Sequence, residues 1–532
     1  MTFATMPSLT DSEALTTASS FLTGITLWQW MLLLSGILVI RAILISIYNV
    51  FFHPLAKYPG PRLASISDIW VAYYYSSGKW PWVVERAIKQ YGDIVRIGPN
   101  SLVFLEPQAA IDIHGAKRDL KDTFMKTPLM DGLGDEDDGI LWERNPEKHR
   151  AVSKMMSPAF SGNSLRAKIP TLNKHIDLMI SQMRGHGQQS AGLDVSVWLT
   201  WLAMDSAADL TCGWELHELR DMKSHAFLEC MEAAGMLAII LSITKIAPIL
   251  TPTVILLTSW KAIRTFPLMA KLLRAKVFER IETRHNLRHS DFCEQLLPPG
   301  KESPKTTKQI RHMVTVILQL IIGGYDTTSA TTYMLLYFGL RNPEVLEELK
   351  REIRGNFSRY EDINAESLRS LPWLNACMQE TLRVVTVATH HSLPRISPGA
   401  TVDGTYVPKD VICRTSLFTY SRSDRFFHDP LGFRPERWLS PDHPKYDPVF
   451  ANDDHRGYMP FIMGPRQCPG REIAKITFRL VLAKLFWSFD IEQVSKQLKF
   501  DRDFRVYSIW MKPELRVRFL PVKRKCEDKL GN

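Results

Sequence analysis

One cysteine near the C-terminus sits in a frame that could hold a metal: Phe461-Ile-Met-Gly464-Pro-Arg466-Gln-Cys468-Pro-Gly470. The two glycines let the backbone turn closely around the sulfur and aim N–H groups at it. A helix is predicted from Arg471 to Phe489, and its positive N-terminal end favours an anion at Cys468. A buried thiolate bound to haem iron fits this frame, and such a ligand favours O–O cleavage. Arg466 would then pair with a haem propionate, and Phe461 would shield the sulfur from water. The competing reading is an ordinary buried cysteine in a loop.

A second group lies in a long apolar helix predicted over Met313 to Leu340, whose lack of a polar face marks it as central and buried. In its middle stands Gly323-Gly324-Tyr325-Asp326-Thr327-Thr328. Paired glycines destabilise a helix interior by roughly 1 kcal/mol each, and room for a ligand against the backbone would offset that. An acid beside a hydroxyl in a buried, locally opened helix suits proton delivery. The alternative is a kinked core helix whose hydroxyls bond back to the preceding turn.

A third group, Glu380-Thr-Leu-Arg383, puts opposite charges at i and i+3 on one helical face with apolar surroundings. Downstream, Phe433-Arg-Pro435-Glu436-Arg437-Trp438 offers a second arginine, Arg437, to Glu380. A buried triad of this kind specifies geometry more than it stabilises.

The elements that must position these groups read as mainly α with a small sheet. Helices are predicted at Trp80–Tyr91, Pro146–Met156, Ile169–Arg184, Met222–Leu241, Lys308–Leu340, Pro343–Asn356, Leu374–Thr386 and Arg471–Phe489. Short strands are predicted at Ile94–Ile97, Ser101–Phe104, Thr401–Val407, Val411–Thr415 and Leu515–Phe519. Phe21 to Ile40 carries no charge and is long enough to span a bilayer. Asp11 and Glu13 precede it, whereas Arg41, Lys57 and Arg62 follow, which places the N-terminus in the lumen and the body in the cytosol. The expected division is a lumenal tail (1–20), an anchor (21–40), a proline-bearing elbow (41–62), the catalytic domain (63–520) and a polar tail (521–532). Asn356-Phe-Ser358 matches a glycosylation sequon that a cytosolic location would leave unmodified. Met236 to Trp260 is apolar but broken by Pro248 and Pro252, so it reads as a lid touching the bilayer rather than a second span.

Composition narrows the partners. The 532-residue chain is 45% hydrophobic with a net charge of +10. No dense basic run stands out, which argues against nucleic acid and for a negative membrane surface or an acidic protein. The seven cysteines (Cys212, Cys230, Cys293, Cys377, Cys413, Cys468, Cys526) include no CxxC pair, so neither a disulfide framework nor a zinc site is indicated.

With these motifs in this order, the chain from about Pro59 to Val517 resembles the cytochrome P-450 family of haem-thiolate monooxygenases. The stretch FFHPLAKYPGPRLA is similar to filamentous-fungal members, many of which tailor secondary metabolites. The resemblance implies the family's fold, with Cys468 as the proximal iron ligand and Asp326 and Thr327 handling dioxygen and its protons. It makes Glu380, Arg383 and Arg437 the structural triad behind the haem, and Arg395 and Arg466 propionate partners. The frame glycines Gly464 and Gly470, with Phe461, surround the ligand. His149 and Arg150 lie on the helix that supplies further propionate contacts. Many members carry an arginine where this chain has Ser153, which would leave Arg150 or Lys154 to compensate. Substrate would be lined by Asp122–Leu141, Cys230–Leu241, Val316–Ile322, Thr386–Leu393 and Tyr507–Trp510. His390 and His391 read as pocket-lining rather than metal ligands.

Electrons must come from outside. No dinucleotide fingerprint occurs in strand–turn–helix context. A separate NADPH-dependent flavoprotein reductase is therefore implied, and Arg471, Lys475 and Arg479, on one helix face, could dock it. The expected activity is insertion of one oxygen atom from O2 into an apolar terpenoid, polyketide or alkaloid intermediate, at the cytosolic face of the endoplasmic reticulum. Two other readings stay open: a haem-thiolate isomerase or dehydratase working without O2 or reductase, and a non-enzymatic membrane protein binding haem or lipid.

Overall fold

The computed structural model describes residues 26–128, 139–258, 260–298, 300, 302–387, 393–507 and 510–523. His390, His391, Cys526 and part of the expected substrate-lining segments lie outside these residues. The architecture is mainly α, with a small five-stranded sheet at one side.

Helix boundaries follow local chemistry where that chemistry is strong. Trp80–Tyr91, Pro146–Met156 and Pro343–Asn356 have the predicted bounds, and each carries proline in its first turn. Proline there is pre-set for the helix and sacrifices no hydrogen bond. The central helix, Thr307–Arg341, runs 35 residues. It opens with a capping box: Thr306 accepts from the Gln309 N–H at 3.2 Å, and the Gln309 side chain accepts from the Thr306 N–H at 3.1 Å.

One core helix went unread in the sequence. Val195–Cys212 is buried along nearly its whole length and packs lengthwise on the central helix. Buried on every side, Asp205 and Asp209 included, it has no exposed polar face to betray a helical period. Gly324 lets the two approach: a Cβ there would meet the Ala207 Cβ at 3.0 Å.

The N-terminal helix is shifted from expectation. It runs Leu27–Ile47 and continues as a π-helical turn through Phe52, so Arg41 lies within it rather than in a flank. Apolar residues resume after Arg41 (Ile43, Leu44, Ile45, Ile47), and a long arginine side chain can reach a polar boundary from inside such a helix. The helix buries none of its residues against the protein. The elbow after it is docked firmly. Arg96 Nη1 donates to the Asn49 carbonyl at 2.7 Å, and the Arg96 N–H donates to the Pro59 carbonyl at 2.8 Å.

The segment predicted as a lid is a helix Ala226–Ile246, a 3-10 turn Pro248–Leu250 and a helix Thr251–Leu257. Ile243 and Ala247 bury against Ala72 of the helix Ile69–Ser76, close to the elbow.

The main sheet contains β1 (Ile94–Gly98), β2 (Ser101–Phe104), β3 (Met125–Lys126), β4 (Arg395–Ile396) and β5 (Ile412–Thr415), in spatial order β1-β2-β5-β4-β3. Only β2 and β5 are parallel. The antiparallel pair β3–β4 sets Lys126 opposite Arg395. The stretch predicted as one strand, Thr401–Val407, is a hairpin of Ala400–Val402 and Thr405–Val407, because Asp403-Gly404 turns with both φ angles positive.

Candidate active site

The loop before the helix Arg471–Ser488 folds around Cys468 by backbone contacts. The Cys468 N–H donates to the Phe461 carbonyl at 3.1 Å, and the Gly470 N–H points at the sulfur. Gly464 has φ of 75°, and a Cβ there would stand 2.1 Å from the His114 carbonyl oxygen, so only glycine fits this crossing. Cys212, Cys230, Cys293, Cys377 and Cys413 are buried, whereas Cys468 is exposed. Protein still encloses it on its other sides: burial pushes its thiol pKa up, against the Gly470 N–H and the Arg471 charge, which pull it down. A thiol so placed is a ligand for a metal, which would deprotonate it outright.

Across from this loop, Ile473 of the following helix packs in one cluster with Val316 and Leu320 of the central helix. The central helix is continuous through Gly323–Thr328, so the expected local opening is absent. The hydroxyls satisfy themselves within it: Thr327 Oγ1 donates to the Gly323 carbonyl at 2.6 Å, and Thr331 and Thr332 repeat the pattern one turn on. The two glycines have different jobs. Gly324 packs on Ala207, whereas a Cβ at Gly323 would meet nothing within 4 Å. Gly323 is thus the one that leaves room beside the backbone. Asp326 is enclosed, and burial raises its pKa, opposed by Lys512, whose Nζ lies 3.7 Å from Oδ1.

The triad forms as expected. Arg383 donates to both Glu380 oxygens, Nη2 to Oε1 at 2.7 Å and Nε to Oε2 at 2.8 Å. Arg437 Nε lies 3.1 Å from Glu380, and the same guanidinium pairs with Asp453. Trp438 Nε1 and the Arg434 N–H complete the carboxylate's partners at 2.9 and 2.8 Å. The charges outweigh the desolvation penalty, and Glu380 has its pKa lowered although burial opposes this.

Between β4 and the cysteine loop the structure gathers cations. Arg395 is 6% exposed and donates to the Pro394 carbonyl. Burial and Arg466 bring it down to about 9. Arg466 donates to the Glu143 and Arg144 carbonyls at 2.5 and 3.0 Å, and burial brings it down to about 10. His149 is held at about 4 by burial and by Arg466, Lys126 and Arg395. Arg150 and Lys154, on the same helix, are exposed. Lys126 and His114, which no motif marks, do belong here. Lys126 arrives through its β3–β4 pairing with Arg395, and His114 has a buried Nδ1 without a partner. Cations pressed together at the loss of their own proton affinity fit a dianionic ligand. This cation cluster, an accessible thiol and an open glycine backbone fit the propionates, iron and ring of haem.

The proposed docking face on the helix behind Cys468 is partly engaged. Arg471 pairs with Glu472 at 3.0 Å, and Arg479 donates to Asn375 Oδ1 at 2.6 Å.

Comparison with known proteins gives the same picture. The cytochrome P-450 family model matches residues 64–517. The chain is 42% identical to cytochrome P-450 monooxygenase TwmD of Talaromyces wortmannii, over 90% of this chain and 93% of that one. It is 33% identical to monooxygenase btcC of Colletotrichum orbiculare, over 92% and 96%, and 32% identical to monooxygenase poxC of Penicillium oxalicum, over 96% and 99%. Sequence, fold and near full-length relatives agree: this chain belongs to the cytochrome P-450 monooxygenase family, whose members carry haem on a cysteine thiolate.

Proposed function

We propose that this protein is a membrane-anchored monooxygenase that places one oxygen atom from O2 into an apolar secondary-metabolite intermediate, with electrons from NADPH through a separate flavoprotein reductase. The observation that carries this is Cys468, accessible in its glycine frame beside the cation cluster. Haem held by Cys468 would supply the oxygen chemistry, since a thiolate ligand favours O–O cleavage. Arg395, Arg466, His149 and Lys126 would hold its propionates. Gly323 leaves space beside the central helix. Asp326, whose pKa burial raises against the pull of Lys512, would pass a proton toward the haem side, with the Thr327 hydroxyl, which donates to the Gly323 carbonyl, as its neighbour in that relay. Glu380, Arg383 and Arg437 fix the fold behind the site. The apolar N-terminal helix fits a single-pass anchor, and we place the body on the cytosolic face of the endoplasmic reticulum from the charge asymmetry around the span.

The test is the carbon monoxide difference spectrum of the reduced protein, followed by oxygenation. Wild type should show the strongly red-shifted Soret band of thiolate ligation. Cys468→Ala should lose both this band and NADPH-dependent oxygenation. A variant that oxygenates at the wild-type rate would overturn the assignment. Product formed without NADPH would point instead to an isomerase or dehydratase.

A further inference from the structure

Lys512 lies in the C-terminal segment, 186 positions from Asp326 in sequence, and no motif marks it. It is 11% exposed, and its ammonium faces the central helix: Nζ is 3.7 Å from Asp326 Oδ1 and donates to Ser329 Oγ at 2.8 Å. Ser329 Oγ in turn donates to the Asp326 carbonyl at 3.1 Å. The segment cannot drift away easily. The next residue, Pro513, accepts the Tyr333 hydroxyl at 2.7 Å, and Trp510 Nε1 donates to the Thr386 carbonyl at 3.2 Å. A third group approaches from the lid helix Ala226–Ile246. Glu232 is within electrostatic reach of both Asp326 and Lys512, without forming an ion pair with either. Glu229 of the same helix, Tyr325 of the central helix and Glu218, which feels Glu232, are the other titratable neighbours of this group among the described residues.

Asp326 and Glu232 both feel the Lys512 ammonium, Asp326 at 3.7 Å and Glu232 from the exposed side of the lid helix. Lys512 can neutralise one of them, and the other is relieved by taking up a proton. We propose that Lys512, its ammonium held between Asp326 and Ser329, is a positioning residue for Asp326 and sets the pH range in which Asp326 carries the proton it delivers. This rests on the reading of Asp326 as a proton donor given above.

The sign follows from charge. Asp326 delivers only when protonated, so delivery fails as pH rises through its pKa. Removing the Lys512 ammonium raises that pKa and moves the falling limb to higher pH. Removing the Glu232 negative charge lowers it and moves the limb to lower pH. The full-length protein with its reductase can report this without a substrate, by NADPH + H⁺ + O2 → NADP⁺ + H2O2, in which NADPH is the two-electron reductant and the two protons end on peroxide. The readout is the rate of NADPH-dependent peroxide formation across pH. Lys512→Met should shift the falling limb upward by about one unit or more, and Lys512→Arg should restore it. Glu232→Gln, on the exposed side of the lid, should shift it downward. Asp326→Asn should abolish the limb. If Asp326→Asn abolishes it while Lys512→Met and Glu232→Gln leave it in place, the role of Lys512 is refuted and that of Asp326 stands. An Asp326→Asn protein with the wild-type profile refutes the proton-donor reading itself. Should Lys512→Met fail to give the thiolate carbon monoxide spectrum, Lys512→Gln takes its place: an upward shift supports the proposal, and no movement overturns it.

Discussion

His149 shows how a single side chain records the ligand it was built for. It is 7% exposed, and burial with three neighbouring cations holds its pKa at about 4 against an ordinary 6.5. A base held neutral in this way contributes stability above pH 6.5, and that contribution is lost as pH falls toward 4 because the unfolded chain binds the proton more readily. The full loss is about 3 kcal/mol for such a displacement. A bound dianion beside Arg395 and Arg466 would raise the His149 pKa and reduce the loss. Urea unfolding across this pH window should show the decline in wild type and a flatter profile in His149→Gln, with haem loading flattening the wild-type curve as well. A His149→Gln profile parallel to wild type would show that His149 is not the titrating group. The motif residues, by contrast, were legible because their chemistry is local. Cys468 is framed by its own loop, and Glu380 meets Arg383 one helical turn away. Lys126 and Lys512 were not legible, because strand register and a contact across the whole fold bring them to the site.

The central helix carries the same division at the next scale. Its extent followed from the apolar run over Met313 to Leu340, and the Gly323-Gly324 pair stood out within it. What the pair does could not be read, because one glycine faces open space and the other faces a helix that itself has no amphipathic signature. This separates two substitutions of equal size. Gly323→Ala meets no atom within 4 Å, so helix propensity should stabilise the protein by up to about 1 kcal/mol. The added methyl occupies the space beside the backbone, so dioxygen or substrate handling should suffer although the protein melts higher. Gly324→Ala brings Cβ to 3.0 Å from the Ala207 Cβ, and Gly324→Val adds branches that the pair of helices cannot house. Valine there should destabilise by about 1–3 kcal/mol through overpacking. Thermal unfolding followed at the haem band should rank the proteins Gly323→Ala, wild type, Gly324→Val. Equal melting points for the two helix variants would mean that the helices do not approach as closely as described.

At the scale of the whole molecule, apolar surface is unevenly placed. The helix Leu27–Ile47 leaves its leucines and isoleucines exposed, and Phe51 and Phe52 follow it. The lid turn and the helix after it add Ile249 at 78%, Ile255 at 63% and Leu256 at 85% exposure. The lid packs on the helix Ile69–Ser76 through Ile243, Ala247 and Ala72. That helix adjoins the elbow, which Arg96 pins to β1. Lid and elbow both pack on the helix Ile69–Ser76, and the exposed apolar side chains of the lid and the N-terminal helix fit a membrane-facing surface. A net charge of +10 favours an anionic bilayer. The anchor should thus not be the sole attachment. A protein lacking residues 1–52 should still sediment with anionic vesicles. Replacing Ile249, Ile255 and Leu256 by serine in that truncated protein should release it. Burial of each such side chain is worth at most roughly 1.5–3 kcal/mol, so even partial insertion of three predicts more than a tenfold drop in partitioning. If the triple serine variant sediments like its truncated parent, the lid does not touch the bilayer, and the exposed isoleucines and leucine must serve another surface. If the truncated parent is already fully soluble, the anchor alone holds the protein, and the lid can move free of the membrane.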